Sequence, residues 1–181
     1  MAVRRAKAYS KKKITPFTRK SQKVKHLNYI KAVPAQKISK FNMGNISKYN
    51  KGEFKNVIEI ISLMHVQIRD LALEAARQFV HNKIEKNMPV ENYYMSCRGY
   101  PHQVIRNNKI YSGGSKGERV QSGMAHSYGT AEGRSAVFKV GQPIFVIAFE
   151  NKKDTAFLRE LCRSASPKLP GAVKILYTEI K

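Results

Sequence analysis

The order of elements in this 181-residue chain predicts an α+β domain of two layers, with two helices on a mostly antiparallel or mixed sheet. Three observations carry that prediction. Short β-branched or alternating runs outnumber the segments of helical period. Two segments, and only two, hold a full apolar stripe at helical spacing. The run Ile144-Phe145-Val146-Ile147-Ala148-Phe149 is apolar on both faces, which places it in the middle of a sheet.

Residues 1–55 come first and read as a basic N-terminal arm, mostly extended. They hold 16 Lys+Arg and a single acid, Glu53, a net of +15; the remaining 126 residues hold a net of +7. Apolar residues here show neither helical nor strand period, so the arm has little core of its own and is expected to be ordered by a phosphate backbone. The plain alternative is a solvated tail. Pro16, Phe17, Tyr29, Ile30, Val33, Pro34, Ile38 and Phe41, set among the lysines, favour an extended path docked on something.

The second unit, 56–181, reads as the α+β domain. Val57–Leu63 is β-branched and predicts a strand. From Val66 to Lys86 the spacing predicts a helix: Met64, Ile68, Leu71, Ala72, Ala75, Ala76 and Phe79 share one face, and Asp70, Glu74, Arg77 and His81 the other. Asn87 and Pro89 stop it. Asp70 and Glu74 lie near Arg69 and Arg77, so that face reads as a solvated ion-pair face. Asn92–Arg98 alternates, with Tyr93, Met95 and Cys97 on one side, and a turn at Gly99–Pro101 leads to a strand at His102–Arg106. Residues 107–133 form a long glycine-rich loop, which in a compact domain is usually functional or disordered. Strands follow at Ala136–Val140 and Ile144–Phe149. A helix from Lys152 to Ala165 carries Phe157, Leu158, Leu161, Cys162 and Ala165 as its stripe, with Asn151 as N-cap. Val173–Ile180 is the last strand.

Charge is the strongest functional signal. The chain holds 34 Lys+Arg against 12 Asp+Glu, a formal +22. That excess repels itself in the compact state and favours a polyanionic partner, nucleic acid first and an anionic membrane surface second. No stretch approaches the roughly 18 consecutive apolar residues of a membrane span, and no apolar stretch follows the basic N-terminus to make a signal peptide. Cys97 and Cys162 form no CxxC pair, so neither a zinc ribbon nor a disulfide framework is expected, and a cytoplasmic location fits.

Catalytic patterns fail on context. Gly113-Gly114-Ser115-Lys116-Gly117 matches the serine-hydrolase elbow, yet no helix pattern follows it, and the last histidine, His126, comes ahead of Asp154. The same stretch lacks the Gly-Lys-Ser/Thr of a P-loop. His26, His65, His81, His102 and His126 show no ligand spacing, so no metal or cofactor is expected. Scattered acids argue against paired-carboxylate chemistry. Binding residues are plentiful instead. Arg4, Arg5, Lys7, Lys11, Lys12, Lys13, Arg19, Lys20, Lys23, Lys25 and Lys37 line the arm. Arg98, Tyr100, His102 and Arg106 surround the loop base, and Arg134 lies near it. Lys109, Tyr111, Gly113, Gly114, Ser115, Lys116, Gly117, Arg119, His126 and Tyr128 lie on the loop. Basic groups hold phosphates, tyrosine and histidine stack on unpaired bases, and glycines let a backbone approach closely.

Five stretches, in order, then resemble a known family. They are Tyr29-Ile30 with Val33-Pro34, running on to Lys37-Ile38, Phe41 and Met43-Gly44-Asn45; Gln67-Ile68-Arg69-Asp70 with Ala72–Arg77; and Tyr100-Pro101-His102 with Val104–Lys109. The last two are Gly123-Met124 with Tyr128-Gly129 and Gly133, and Lys168-Leu169-Pro170. The set is similar to the universal large-subunit ribosomal protein sixteen family, in its archaeal and eukaryotic "L-ten-e" form. The resemblance implies an α/β-hammerhead fold and a structural role without enzymatic activity. It implies a seat on large-subunit rRNA at the base of the central protuberance, with the long loop directed towards the peptidyl-transferase region, close to tRNA in the A and P sites. Neighbouring ribosomal proteins are then expected partners, and a homo-oligomer is not. Ala125 and Thr130-Ala131 stand where the family usually has a basic residue and Lys-Pro, so charge is lost beside the loop and the basic arm is expected to compensate. The end at Lys181, without a longer tail, points to the archaeal type. The rivals are a free RNA- or DNA-associated factor and a nucleic-acid-modifying enzyme.

Overall fold

A computed structural model describes residues 5–11, 33–107 and 130–180. Among these residues eleven strands and α-helices follow one another: β1 (Asn42–Gly44), α1 (Ile46–Lys51), β2 (Asn56–Ser62), β3 (Val66–Arg69), α2 (Asp70–Asn87), β4 (Tyr93–Cys97), β5 (Gln103–Asn107), β6 (Thr130–Phe138), β7 (Pro143–Phe149), α3 (Thr155–Ala165) and β8 (Val173–Glu179). They make an α+β fold with two sheets. One has five strands in the order β1-β4-β7-β2-β8, the other three in the order β3-β6-β5. Every strand pair is antiparallel, so the mixed alternative falls away. β7 is the central strand of five, as its two apolar faces predict.

Alternation decides which side chains meet. Tyr93, Met95 and Cys97 of β4 share the core with Phe145, Ile147 and Phe149 of β7 and Ile58 and Ile60 of β2. Against this face pack Leu73, Ala76, Val80 and Ile84 of α2 and Leu158, Leu161, Cys162 and Ala165 of α3. Tyr93, Phe138, Phe145 and Phe149 are fully buried, each worth on the order of 2 kcal/mol in apolar surface removed from water. Burial also pushes the Cys97 thiol up to about 11 and that of Cys162 to about 12. The opposite face of the large sheet is covered in part: α1 and Phe54 close over Val57, Tyr94, Val146 and Ala148. That short third helix and partial third layer arise within the segment read as an arm.

Much of residues 33–55 is therefore built into the domain. β1 pairs with β4, Ile38 and Met43 are buried, and Asn45 caps α1 by accepting a hydrogen bond from the Lys48 amide at 3.0 Å.

Three other boundaries differ from the sequence reading. Val66–Arg69, expected as the first turn of a helix, is a strand paired with β6, and α2 starts at Asp70. The apolar residues there fit either period, since Val66 and Ile68 alternate as well as they spiral. Consequently Met64, Leu71 and Ala75 are exposed rather than on the buried stripe. β6 begins at Thr130, six residues earlier than expected, and pairs with β5 up to Asn107↔Thr130 across a bulge at Ile105/Arg106. Gly133 thus lies in a strand, where a bulge often accommodates glycine. Finally, Asn151 does not cap α3 with its side chain. A 3-10 turn at Lys152–Asp154 intervenes, and the Thr155 hydroxyl donates back to the Lys152 carbonyl at 2.7 Å.

Gly44 is required by its geometry. Its φ is +84°, and a Cβ there would sit 2.2 Å from the Tyr93 carbonyl oxygen, a backbone atom that is itself fixed by the Asn45 amide at 2.9 Å. Gly44→Ala should destabilise the domain by about 2 kcal/mol or more. A urea melt measures this as a lower midpoint with an unchanged slope; an unchanged midpoint would show that β1 does not belong to the cooperative unit.

Candidate nucleic-acid interface

Two described pieces of the basic arm dock on one region, the start of α2 and the small sheet. Residues 5–11 run along β3. Ala6–Tyr9 forms a 3-10 turn, and the Gln67 amide donates to the Ser10 carbonyl at 2.9 Å. The Arg69 guanidinium donates to the Arg5 carbonyl at 3.1 Å and lies 5.5 Å from the centre of the Tyr9 ring. The Tyr9 hydroxyl donates to Glu132 of β6 at 3.2 Å.

Residues 33–43 are held by carboxylates of α2. Asp70 is 2% exposed, and its Oδ2 accepts from the Lys37 amide at 3.1 Å. Glu74 accepts from both the amide and the hydroxyl of Ser39, at 3.3 and 3.1 Å. Arg77 closes the set with a 2.6 Å bond to Glu74 and a 2.9 Å bond to the Ser39 hydroxyl. The Arg77–Glu74 side chains are only 8% and 12% exposed, so this is not the solvated ion-pair face the spacing suggests. The pattern becomes intelligible once the arm is in place: a buried pair persists when its remaining hydrogen-bonding capacity is met. Arg134, expected as a phosphate contact near the loop, instead donates to the Pro34 carbonyl at 2.6 Å.

Cations are left over. No carboxylate lies within 4 Å of Arg5, Lys7, Lys11, Lys37, Lys40 or Arg98 among the described residues, and all six are exposed. The surface lysine pairs among the described residues bind Lys48 to Glu150, Lys51 to Glu53 and Lys152 to Glu179 elsewhere. At the loop base, Arg98 donates to the Tyr49 hydroxyl at 3.0 Å, and Tyr49 stacks on Tyr94 with ring centres 4.1 Å apart. Tyr100 stacks on Phe41 at 5.5 Å and lies tilted against His102 at 4.5 Å. Arg106 is half-buried in β5.

Of the residues singled out from the sequence, the structure brings together Tyr100 and His102, turns Arg98 to Tyr49, and places Arg5, Lys7, Lys11 and Lys37 on the docked arm. Arg4, Lys12, Lys13, Arg19, Lys20, Lys23 and Lys25 lie outside the described residues. So do Lys109, Tyr111, Gly113, Gly114, Ser115, Lys116, Gly117, Arg119, His126 and Tyr128. His81, placed by its spacing on the face opposite the apolar stripe, is half-buried, with Nε2 3.4 Å from the Tyr93 hydroxyl, and burial lowers its pKa. The sequence reading missed Phe41 and Tyr49 as ring partners and Asp70, Glu74 and Arg77 as anchors. The scarcity of acids was the available signal, since two of twelve fall one turn apart at the start of α2.

Comparison with known proteins gives a consistent result. The chain matches the family described as ribosomal protein L16p/L10e over residues 13–176. It is 35% identical over 176 residues to large ribosomal subunit protein uL16 of Pyrobaculum neutrophilum, covering 97% of this chain and 92% of the relative. It is 35% identical over 179 residues to the protein of the same name from Methanococcus maripaludis strain C7, covering 99% and 96%. A second M. maripaludis protein of that name, from strain S2, is 34% identical over 181 residues, covering 100% and 97%.

The clamp on residues 37–43 has a definite pH dependence. Hydrogen bonds from Arg77, and secondarily from Gln78 and Ser39, hold the Glu74 carboxyl down at about 2, against an ordinary value of 4.5. A lowered carboxylate contributes stability that is present above its unfolded value and is lost as pH falls from about 4.5 towards 2. Asp70 works in the opposite sense, since burial raises its pKa. Urea melts should therefore lose stability across that window, and Glu74→Gln should flatten the loss while lowering stability at pH 7. A variant as pH-sensitive as the parent would place the linkage elsewhere.

Proposed function

The chain belongs to the L16p/L10e family of ribosomal proteins, and on that premise we propose that it is an rRNA-binding constituent of the large ribosomal subunit in the cytoplasm. Its role is structural; it is not an enzyme. The observation that carries the reading is the match over nearly the whole chain to proteins named for that subunit. The net charge of +22 and the exposed, carboxylate-free cations of the docked arm support it physically.

In this reading the arm, residues 1–55, and the loop base at Arg98, Tyr100, His102 and Arg106 neutralise and lock RNA helices. The seat is rRNA near the base of the central protuberance. The loop over residues 107–133 helps shape the surface that A-site and P-site tRNA meets during translation. The protein acts as a single copy among neighbouring ribosomal proteins. What supports the arm's part is its anchoring: Asp70, Glu74, Glu132 and Arg134 fix both described pieces on the domain, which lowers the entropy lost when phosphates engage them.

Each neutralised phosphate releases condensed counterions. The logarithm of affinity for large-subunit rRNA should fall linearly with the logarithm of salt, with a slope of about −0.7 to −0.9 per contact. Lys7→Ala and Lys11→Ala should each reduce that slope by about one contact, as read by filter binding across a salt series. A slope near zero would overturn the electrostatic reading. Loss of the chain from large subunits in a mild salt wash would favour a factor that works off the ribosome.

A further inference from the structure

Tyr100 presents an unusual combination of exposure and rigidity. Among the described residues it is the only tyrosine or phenylalanine classed as exposed, at 44%. Yet the residues on either side of it are held in place. The Cys97 amide donates to the Phe41 carbonyl at 2.8 Å and the Arg98 amide to the Ile144 carbonyl at 2.9 Å. Gly99 lies flat against the fully buried ring of Phe138, where a Cβ would fall 2.1 Å from Cζ. Pro101 is buried. Residues 99 to 102 thus alternate buried, exposed, buried, exposed, which turns Tyr100 and His102 outward together. Phe41 backs the Tyr100 ring at 5.5 Å and 25°, and His102 flanks it at 4.5 Å and 50°.

We propose that Phe41, Tyr100 and His102 form a stacking platform for an unpaired nucleobase of single-stranded RNA, with Lys40, next to Phe41 in the chain, available to a flanking phosphate. The proposal rests on the rRNA-binding reading and specifies the RNA element. An exposed ring on a rigid mount offers a flat apolar surface with little ordering entropy left to lose on binding. Lys40 adjoins Phe41 in the chain and is exposed, with no carboxylate within 4 Å among the described residues, whereas the Arg98 guanidinium is turned to the Tyr49 hydroxyl. Flat surface and adjoining cation together suit a base attached to a phosphodiester chain. A duplex does not fit, because its bases are already stacked on one another. A protein partner would supply a carboxylate to the lysine but no planar group on a charged backbone.

The test uses the full chain and a short oligoribonucleotide bearing 2-aminopurine, free or annealed into a duplex. The parent protein should quench the fluorophore in the single strand and not in the duplex. Tyr100→Phe should keep the quenching. Tyr100→Ala should lose it and bind the single strand about tenfold more weakly, within the range for one base–aromatic stack, with the salt slope unchanged. Tyr100→Ala that quenches and binds like the parent overturns the platform while leaving the electrostatic reading intact. So does weaker binding of Tyr100→Ala that is equal for single strand and duplex. A parent protein without salt-sensitive RNA binding overturns both.

Discussion

Self-repulsion is the constraint on which this structure depends. Thirty-four cations and twelve acids share 181 residues, so every carboxylate placed against a basic segment matters. Asp70 and Glu74 hold the chain at Lys37 and Ser39, and Glu132 receives Tyr9. Most of these contacts are made to backbone amides or to hydroxyls, not to the lysines of the arm. The described pieces at residues 5–11 and 33–41 are thereby secured while Arg5, Lys7, Lys11, Lys37 and Lys40 stay available. A protein that neutralised its arm internally would have nothing to offer a phosphate.

Beneath the arm, the domain is ordinary and economical. Antiparallel strands allow one face of the large sheet to bury β4, β7 and β2 against two helices. The small sheet continues the same core through Ile68, Ala136 and Phe138. Phe138 serves two ends: it fills the core and forms the floor on which Gly99 turns the chain. Surface aromatics and internal packing are linked through that single ring.

The large sheet was legible in the sequence because its signal is strong and local. Ile144–Phe149 has no polar interruption, and the alternation of Tyr93, Met95 and Cys97 sorts the faces of β4 without ambiguity. Val66–Arg69 was not legible, because four residues with apolar side chains at the first and third satisfy both periods, and only the partner strand decides between them. The start of β6 was hidden likewise: Thr130–Gly133 has loop composition, and its pairing is fixed by β5 across the bulge. At the interface, basic and aromatic residue types pointed to the loop base, whereas the pairing of Phe41 with Tyr100 joins residues 59 apart and leaves no local trace. Asp70 and Glu74 were read as solvated because their partners lie over thirty residues upstream. Family resemblance recovered the ribosomal role, which composition had left at the level of nucleic acid.

The two cysteines carry a practical consequence. Cys97 and Cys162 are buried and held as neutral thiols by their apolar surroundings, and the thiolate is the nucleophilic form. Alkylating reagents and mild oxidants therefore find little to attack in the folded chain. A cysteine introduced on the outer surface would be the sole fast-reacting thiol, so fluorophores or cross-linkers can be attached at chosen positions without first removing the native pair.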